Sequence, residues 1–402
     1  MFLRELVLQN YRNYTALSLE FSPGIQILVG ANAQGKTNLL EAIYLLATTK
    51  PLRGGRDGDV IAWEQESAIV SAEVCRERRP DVSLEVTISR SEKKLMRVNG
   101  VRQTRVMDFI GQLNAVVFST ADLEVIRGEP ARRRRMLDLE ISQISPSYCH
   151  ALACYHRVLE QRNHLLKQAW ERSASALEES LVVWDEQLIV HGTKILERRF
   201  QFLNRLQEFA RPIHALLTED AEYLGLAYKP SLPLAGEPDA DEIRTAFAEA
   251  LRAARGEERR RGVTVVDPHR DDLVCLVNGY DVKTYGSQGQ QRTVALTIKL
   301  AEVELIRDMT DEPPICLLDD VMSELDEQRR SHLFDVTATA RQTFISGTDL
   351  AGLPPELLRG ADIRRVRAGT VAYQPSAIRH QPSVEPDLCP ADGGSLTADG
   401  SR

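Results

Sequence analysis

Eight residues, Gly30-Ala31-Asn32-Ala33-Gln34-Gly35-Lys36-Thr37, constrain this chain more than any others. Gly30 and Gly35 let the backbone turn its N–H groups inward around an anion, and the helix that starts after them adds a favourable dipole. The apolar run Ile25-Gln26-Ile27-Leu28-Val29 precedes the loop, and Asn38-Leu39-Leu40-Glu41-Ala42-Ile43-Tyr44 follows as a helix. That strand–loop–helix order is what a phosphate loop requires, and a glycine-rich turn alone does not supply it. The motif implies a bound nucleoside triphosphate. Lys36 would reach its β- and γ-phosphates, and Thr37 would ligate Mg²⁺.

Two later motifs complete a site of this kind. Ile315-Cys316-Leu317-Leu318-Asp319-Asp320 reads as a buried strand ending in carboxylates, a Walker B strand. Asp319 would hold the Mg²⁺ shell, and Asp320 would orient the attacking water. Upstream, Ser287-Gln288-Gly289-Gln290 opens a helix with a good capping serine. Its position just before the Walker B strand matches the signature motif of ATP-binding-cassette proteins. In those proteins, the serine and the helix N-terminus meet the γ-phosphate held by another subunit. Ser323-Glu324-Leu325-Asp326 follows, where a D-loop lies.

The chain has 402 residues, too many for one core, so two or three domains are expected. Strand patterns dominate up to residue 119, including Ser83 to Ile88, Ala115 to Phe118 and a hairpin turn at Asn99-Gly100. Helical spacing then takes over until 261. Strands return with Val263-Thr264-Val265-Val266, Leu273 to Val277 and a turn at Asn278-Gly279. The fold class read from this order is α/β: a split P-loop core with an inserted, mostly helical second domain. The divisions are 1–119, 120–261 and 262–374, then a disordered tail, 375–402, rich in Pro, Gly, Ser and Asp.

No stretch approaches the roughly 18 apolar residues of a membrane span, and the start lacks the run of a signal peptide, so a cytoplasmic protein is expected. The six cysteines are dispersed and read as buried free thiols; zinc on Cys149, Cys154, His150 and His156 fits the usual spacing poorly. The formal net charge is −8, so binding to nucleic acid has to rest on local basic clusters. Those clusters are Arg127 with Arg132 to Arg135, Lys50 with Arg53 and Arg56, and Arg252 with Arg255 and Arg259 to Arg261.

The motifs together resemble the ABC-type ATPase heads of the RecF/SMC/Rad50 group, and within it the RecF family of bacterial recombination mediators. Further residues carry the likeness: Leu8-Gln9-Asn10-Tyr11-Arg12-Asn13, Phe118 to Leu123, Arg132 to Asp138, and Pro268-His269-Arg270-Asp271-Asp272-Leu273. SMC and Rad50 proteins need hundreds of heptad residues between their half-heads; about 140 stand here.

The resemblance implies ATP sandwiched between Gly30 to Thr37 of one subunit and Ser287 to Gln290 of another, with Arg12 among the nucleotide-binding residues and Lys36 and Asp320 as the catalytic pair. It implies an ATP-closed homodimer on single-stranded DNA and single-strand/double-strand junctions, with slow, DNA-dependent ATP hydrolysis as a release switch. RecR and RecO are the implied partners, RecA loading at gaps the implied task, with roles in replication and the SOS response. An SMC/Rad50-like clamp, a non-hydrolysing ATP-binding scaffold and a transporter-type cassette are the competing readings.

Some positions depart from the cassette pattern. Asp320 stands where Glu is usual, Gln112 is a poor Q-loop candidate, and Ser346 and Thr348 follow a strand that would lead to a switch histidine. Asp267 replaces the usual Gly before Pro268.

Overall fold

The computed structural model describes residues 1–168, 174–234, 236–350 and 353–374. The chain opens with strands β1 (Phe2–Tyr11), β2 (Tyr14–Glu20) and β3 (Gly24–Val29), then helix α1 (Lys36–Thr48). Strands β4 (Ser67–Cys75), β5 (Val82–Ser89), β6 (Leu95–Val98), β7 (Val101–Gln103) and β8 (Ala115–Ser119) follow. Helices α2 (Leu123–Arg127), α3 (Pro130–Ile144), α4 (Pro146–Lys167) and α5 (Ala174–Leu217) come next, then β9 (Leu224–Lys229) and α6 (Ala240–Arg261). The remainder is β10 (Asp272–Val277), β11 (Tyr280–Asp281), α7 (Val282–Tyr285), α8 (Gln288–Thr310), β12 (Ile315–Asp319), α9 (Glu327–Ala338), β13 (Gln342–Gly347), α10 (Pro355–Gly360), β14 (Asp362–Arg367) and β15 (Thr370–Gln374).

The central sheet has the order β15-β14-β3-β13-β12-β8. All its pairings are parallel except β14 with β15. It interleaves the two ends of the chain: β13 lies between β3 and β12, and β8 pairs β12 in register from Ile315↔Ala115 to Asp319↔Ser119. Its inner strands are apolar along nearly their whole length because both faces are covered. On one face lies α1, which packs in turn against the antiparallel sheet β2-β1-β4-β5-β6-β7. On the other face lie Leu296, Leu300, Val303 and Ile306 of α8 and Leu333 of α9. Strand β4 alternates buried and half-buried residues, as a sheet with one covered face requires.

The helical region has its own core, joining α3 to α6 with β9, β10 and one face of α8. Two buried arginines organise its polar contacts. Arg199 donates to the Tyr148 and Tyr228 hydroxyls, Asp138 and the Pro268 carbonyl. Arg162 donates to Asp185, Glu258 and Thr264. Each guanidinium is desolvated but saturated by carboxylates and oxygens, the condition under which a buried cation is tolerated.

One expectation needs correction. Val263-Thr264-Val265-Val266 forms no strand. The Thr264 amide donates to Asn163 Oδ1 at 2.7 Å and the Val265 amide to Glu258 Oε1 at 3.2 Å, so side chains take the donors a ladder would need. A strand also lies inside the region read as helical: β9 pairs β10 from Leu224↔Val277 to Lys229↔Asp272. The β9–β10 pairing thus joins residues on either side of the expected 261/262 division. The tail 375–402, with Cys389, lies outside the described residues. Among the described residues, the cysteines are free thiols, no cluster of three or more His, Cys, Asp or Glu could hold a metal, and no helix is long and apolar enough to cross a membrane.

Candidate nucleotide site

The glycine-bearing loop joins β3 to α1 at the carboxyl edge of the central sheet. Gly35 has φ +115°, and a Cβ there would lie 2.6 Å from Asn13 Nδ2 and 2.7 Å from the Tyr14 hydroxyl. The loop is propped from two sides. Tyr14 donates to the Gly35 carbonyl at 3.0 Å and Asn13 Nδ2 to the Gln34 carbonyl at 2.9 Å. From the β14–β15 turn, the Ala368 amide donates to Gln34 Oε1 at 2.8 Å. Ala31, Asn32 and Ala33 stay exposed at its mouth, and Ala33 takes a left-handed backbone at φ 63°. Lys36 is buried, and its ammonium folds back to donate to the Gly30 carbonyl at 2.7 Å and the Ala31 carbonyl at 3.1 Å. These are weak ties that an incoming phosphate can replace.

Strand β12 brings its carboxylates to the same edge. Asp319 Oδ1 accepts from Thr37 Oγ1 and from Ser346 Oγ, both at 2.8 Å. Ser346 Oγ also accepts from the Asp320 amide at 3.0 Å. Burial raises the Asp319 carboxyl above its usual range and Asp320 adds to this, while the two hydroxyl bonds oppose them. Asp320 adopts a left-handed backbone, φ 51°, which turns the chain out of the strand. It lines a cleft of about 600 Å³ with Asn32, Ser346 and Thr348. A second cleft, about 590 Å³, runs past Gly30, Ala31 and Gln34 to Arg365 and Arg367. The two clefts flank the loop, and together they have room for a nucleotide.

Thr37 and Asp319 form a donor set of one hydroxyl and one carboxylate. That suits Mg²⁺, which keeps waters and phosphate oxygens in its octahedron rather than an all-protein cage.

Arg12 is placed differently from the loop residues. Its Nε and Nη2 donate to the buried Glu41 carboxylate at 2.7 and 2.9 Å, and Nη1 to the Asp59 carbonyl at 2.8 Å. The guanidinium is thus tied to α1 and the 57–60 turn. Ser287 Oγ accepts from the Gln290 amide at 3.2 Å, and Gln290 Oε1 accepts from the Ser287 amide at 2.8 Å, a reciprocal cap at the start of α8. Gln290 Nε2 continues to Glu222 at 2.9 Å. Ser287, Gln288 and Gly289 are exposed, and among the described residues none of the hydrogen bonds of Ser287 to Gln290 goes to the loop.

The family model of the RecF/RecN/SMC N terminal domain matches residues 2–349. The DNA replication and repair protein RecF of Lysinibacillus sphaericus is 45% identical over 371 residues, covering 92% of this chain and 99% of its own. That of Bacillus cytotoxicus is 44% identical, covering 92% and 98%. The chain belongs to the RecF family. Two solved structures of the recombination mediator RecF of the RecFOR pathway, one with ATP and one with ATPrS, superpose with TM-scores of 0.86 and 0.85. They are 32% and 33% identical and cover 93% and 92% of this chain, and 97% and 98% of their own. An SMC head from Pyrococcus furiosus shares the fold at a TM-score of 0.51 and 16% identity, covering 93% of this chain and 96% of its own. The fold is that of an ABC-type ATPase head with a split core.

Several positions singled out in the sequence have structural partners here. Arg133 is buried and paired to Asp272 at 2.6 Å, which removes it from the basic surface. Arg127 donates to Gln291, and Arg255 pairs with Asp185 and Glu178. Gln112 accepts from Arg76, away from the loop. Asp267 is buried and caps the Pro268–Arg270 turn by accepting from the His269 amide at 2.9 Å. Sequence reasoning assigned no role to Asn13, Tyr14 or Ser346; only the contacts show the first two as props and Ser346 as the hub of the carboxylate pair.

Proposed function

We propose that this chain is an ATP-dependent DNA-binding protein of recombinational repair. A dimer with two-fold symmetry would close on DNA around two nucleotides. The observation that carries this reading is a divided site. The loop half, with Lys36 and the Thr37–Asp319 pair, is assembled within one chain, while the Ser287 helix N-terminus stands exposed and, among the described residues, makes no hydrogen bond to it. An exposed helix N-terminus suits a γ-phosphate presented by a second copy. Gly30 to Thr37 would wrap the phosphates, with Lys36 leaving its two carbonyls for them. Thr37 and Asp319 would hold Mg²⁺, which neutralises developing phosphate charge when bound. Asp320 would position a water for ATP + H₂O → ADP + phosphate. Its carboxylate is one methylene shorter than the usual Glu, which supports slow turnover and hence a release switch.

In this reading, residues 1–119 and 262–374 act as the head and 120–261 as the arm. Arg12 would serve the site through its hold on α1. The relatives' names support a role in DNA replication and repair and, through the RecFOR pathway, work alongside RecO and RecR. The family resemblance adds to the proposal single-stranded DNA and junctions as the target, RecA loading at gaps, the SOS response and a cytoplasmic location.

Light scattering with MgATP tests it. Wild type should double in mass, whereas Lys36→Met and Ser287→Arg should stay monomeric. A wild type that remains monomeric at saturating ATP sinks the sandwich. Phosphate release with and without DNA then separates a switch from a non-hydrolysing scaffold.

A further inference from the structure

A third cavity, about 560 Å³, lies between the end of α1 and the helical arm, apart from both nucleotide clefts. Lys50, Arg134 and Arg135 line it together with His156 and His269. Arg134 donates once, to the Asp271 carbonyl at 2.7 Å, and Arg135 once, to the Pro51 carbonyl at 3.1 Å. Among the described residues none of these three cations forms an ion pair. The carboxylate facing the cavity, Asp138, is engaged by Arg199 and Tyr148. Burial, then the charges of Arg270 and Arg134, push His269 down to about 4, and its Nδ1 contacts the buried Asp267 carboxylate, so the cations without a carboxylate partner are Lys50, Arg134 and Arg135. Leu139, Leu152 and Ile110 give the same cavity an apolar lining.

Cations at the edge of an apolar slot of this size match one ligand chemistry: a phosphate joined to a nucleobase. The phosphate needs the charge, and the base face needs the apolar contact. A base inside a duplex is stacked on both sides and cannot enter, so the ligand has to be unpaired. We propose that this head–arm pocket takes one unpaired nucleotide of a DNA strand, with its phosphate on Lys50, Arg134 and Arg135. The inference rests on the DNA-binding reading above and adds to it a physical reason for preferring gapped over continuous duplex.

The test uses the full chain with MgATP and compares gapped with blunt duplex DNA by fluorescence anisotropy. Ala153→Trp, at an exposed position on the cavity wall, fills the space without disturbing the core. It should lower the gapped-over-duplex affinity ratio by about fivefold or more, as loss of one base contact would. Lys50→Ala with Arg135→Ala should weaken gapped DNA and make its salt slope shallower by about one. ATP affinity should be unchanged in both. An unaltered ratio in Ala153→Trp overturns the pocket while leaving DNA binding intact. Deoxyadenosine monophosphate, titrated at saturating ATP, decides the source. If it binds wild type but not Ala153→Trp while the DNA ratio is unaffected, the pocket serves free nucleotides and the DNA assignment falls. If wild type binds neither DNA, the functional reading and this inference fall together.

Discussion

The proposed roles of Lys36, Thr37 and Asp319 depend on neighbours that fix their positions. Gly35 shows this best. Its backbone is left-handed and its missing side chain leaves room for Asn13 and Tyr14. Gly35→Ala should destabilise the fold by about 1–3 kcal/mol and abolish nucleotide binding, read by urea denaturation and by titration with a fluorescent ATP analogue. Asp319 lies on the opposite side of the balance between stability and function. Its folded pKa is raised by burial, so its ionised form works against folding, and that penalty grows as pH rises through the window above the usual carboxylate value. Asp319→Asn keeps an acceptor for Thr37 and Ser346 and removes the charge. We expect its melting temperature at pH 7 to equal or exceed wild type, with Mg²⁺-dependent ATP binding lost. A large fall in melting temperature would show that the carboxylate is structural instead.

At the scale of elements, α8 matters most, because it joins the two cores. Leu296 and Leu300 pack under the central sheet, while Val294 and Ile298 pack into the helical core. Between them α8 carries a buried ionic cluster. Lys299 Nζ lies 2.6 Å from Glu302 and 3.7 Å from Glu140 of α3. Two carboxylates share one ammonium, so burial and then the Glu302 charge push Glu140 up to about 8. The sign follows from linkage: the folded state holds a proton that the unfolded chain releases near the usual Glu value. Stability should therefore decline as pH rises from about 5 to 8 and level off above. Glu140→Gln, which retains a partner for Gln143, should flatten that decline in a series of melting curves. A wild-type curve without the decline would show that the cluster is fully ionised at neutral pH.

The proposed dimer is a property of the whole molecule. A composite site predicts complementation that no single-chain site allows. Lys36→Met chains have an intact Ser287 helix and Ser287→Arg chains have an intact loop. Mixed with MgATP, they should form heterodimers with one good site, recovering part of the nucleotide-dependent association of wild type. Each variant alone should show none. Recovery absent from the mixture, with wild type dimerising, would place Ser287 outside the nucleotide site.

Much of this was legible from residue order. Gly30 to Thr37, the Asp319-Asp320 strand end and the Ser287 cap are local motifs, and their spacing encodes strand–loop–helix geometry without reference to the remaining fold. The turns at Asn99-Gly100 and Asn278-Gly279 were equally local, since each needs only consecutive residues that tolerate positive φ. Val263 to Val266 looked like a strand because β-branched residues favour one, yet Asn163 and Glu258, distant or on another element, took its amides. The alternation at Leu224, Leu226 and Tyr228 was too short to stand out among helices. No local pattern distinguishes Arg133, locked on Asp272, from Arg135, open to the head–arm cavity. The residue sequence by itself determined the phosphate-loop reading, because that motif is contiguous. The tertiary structure alone decided which charges are free to use, because an ion pair forms between residues brought together only by the fold.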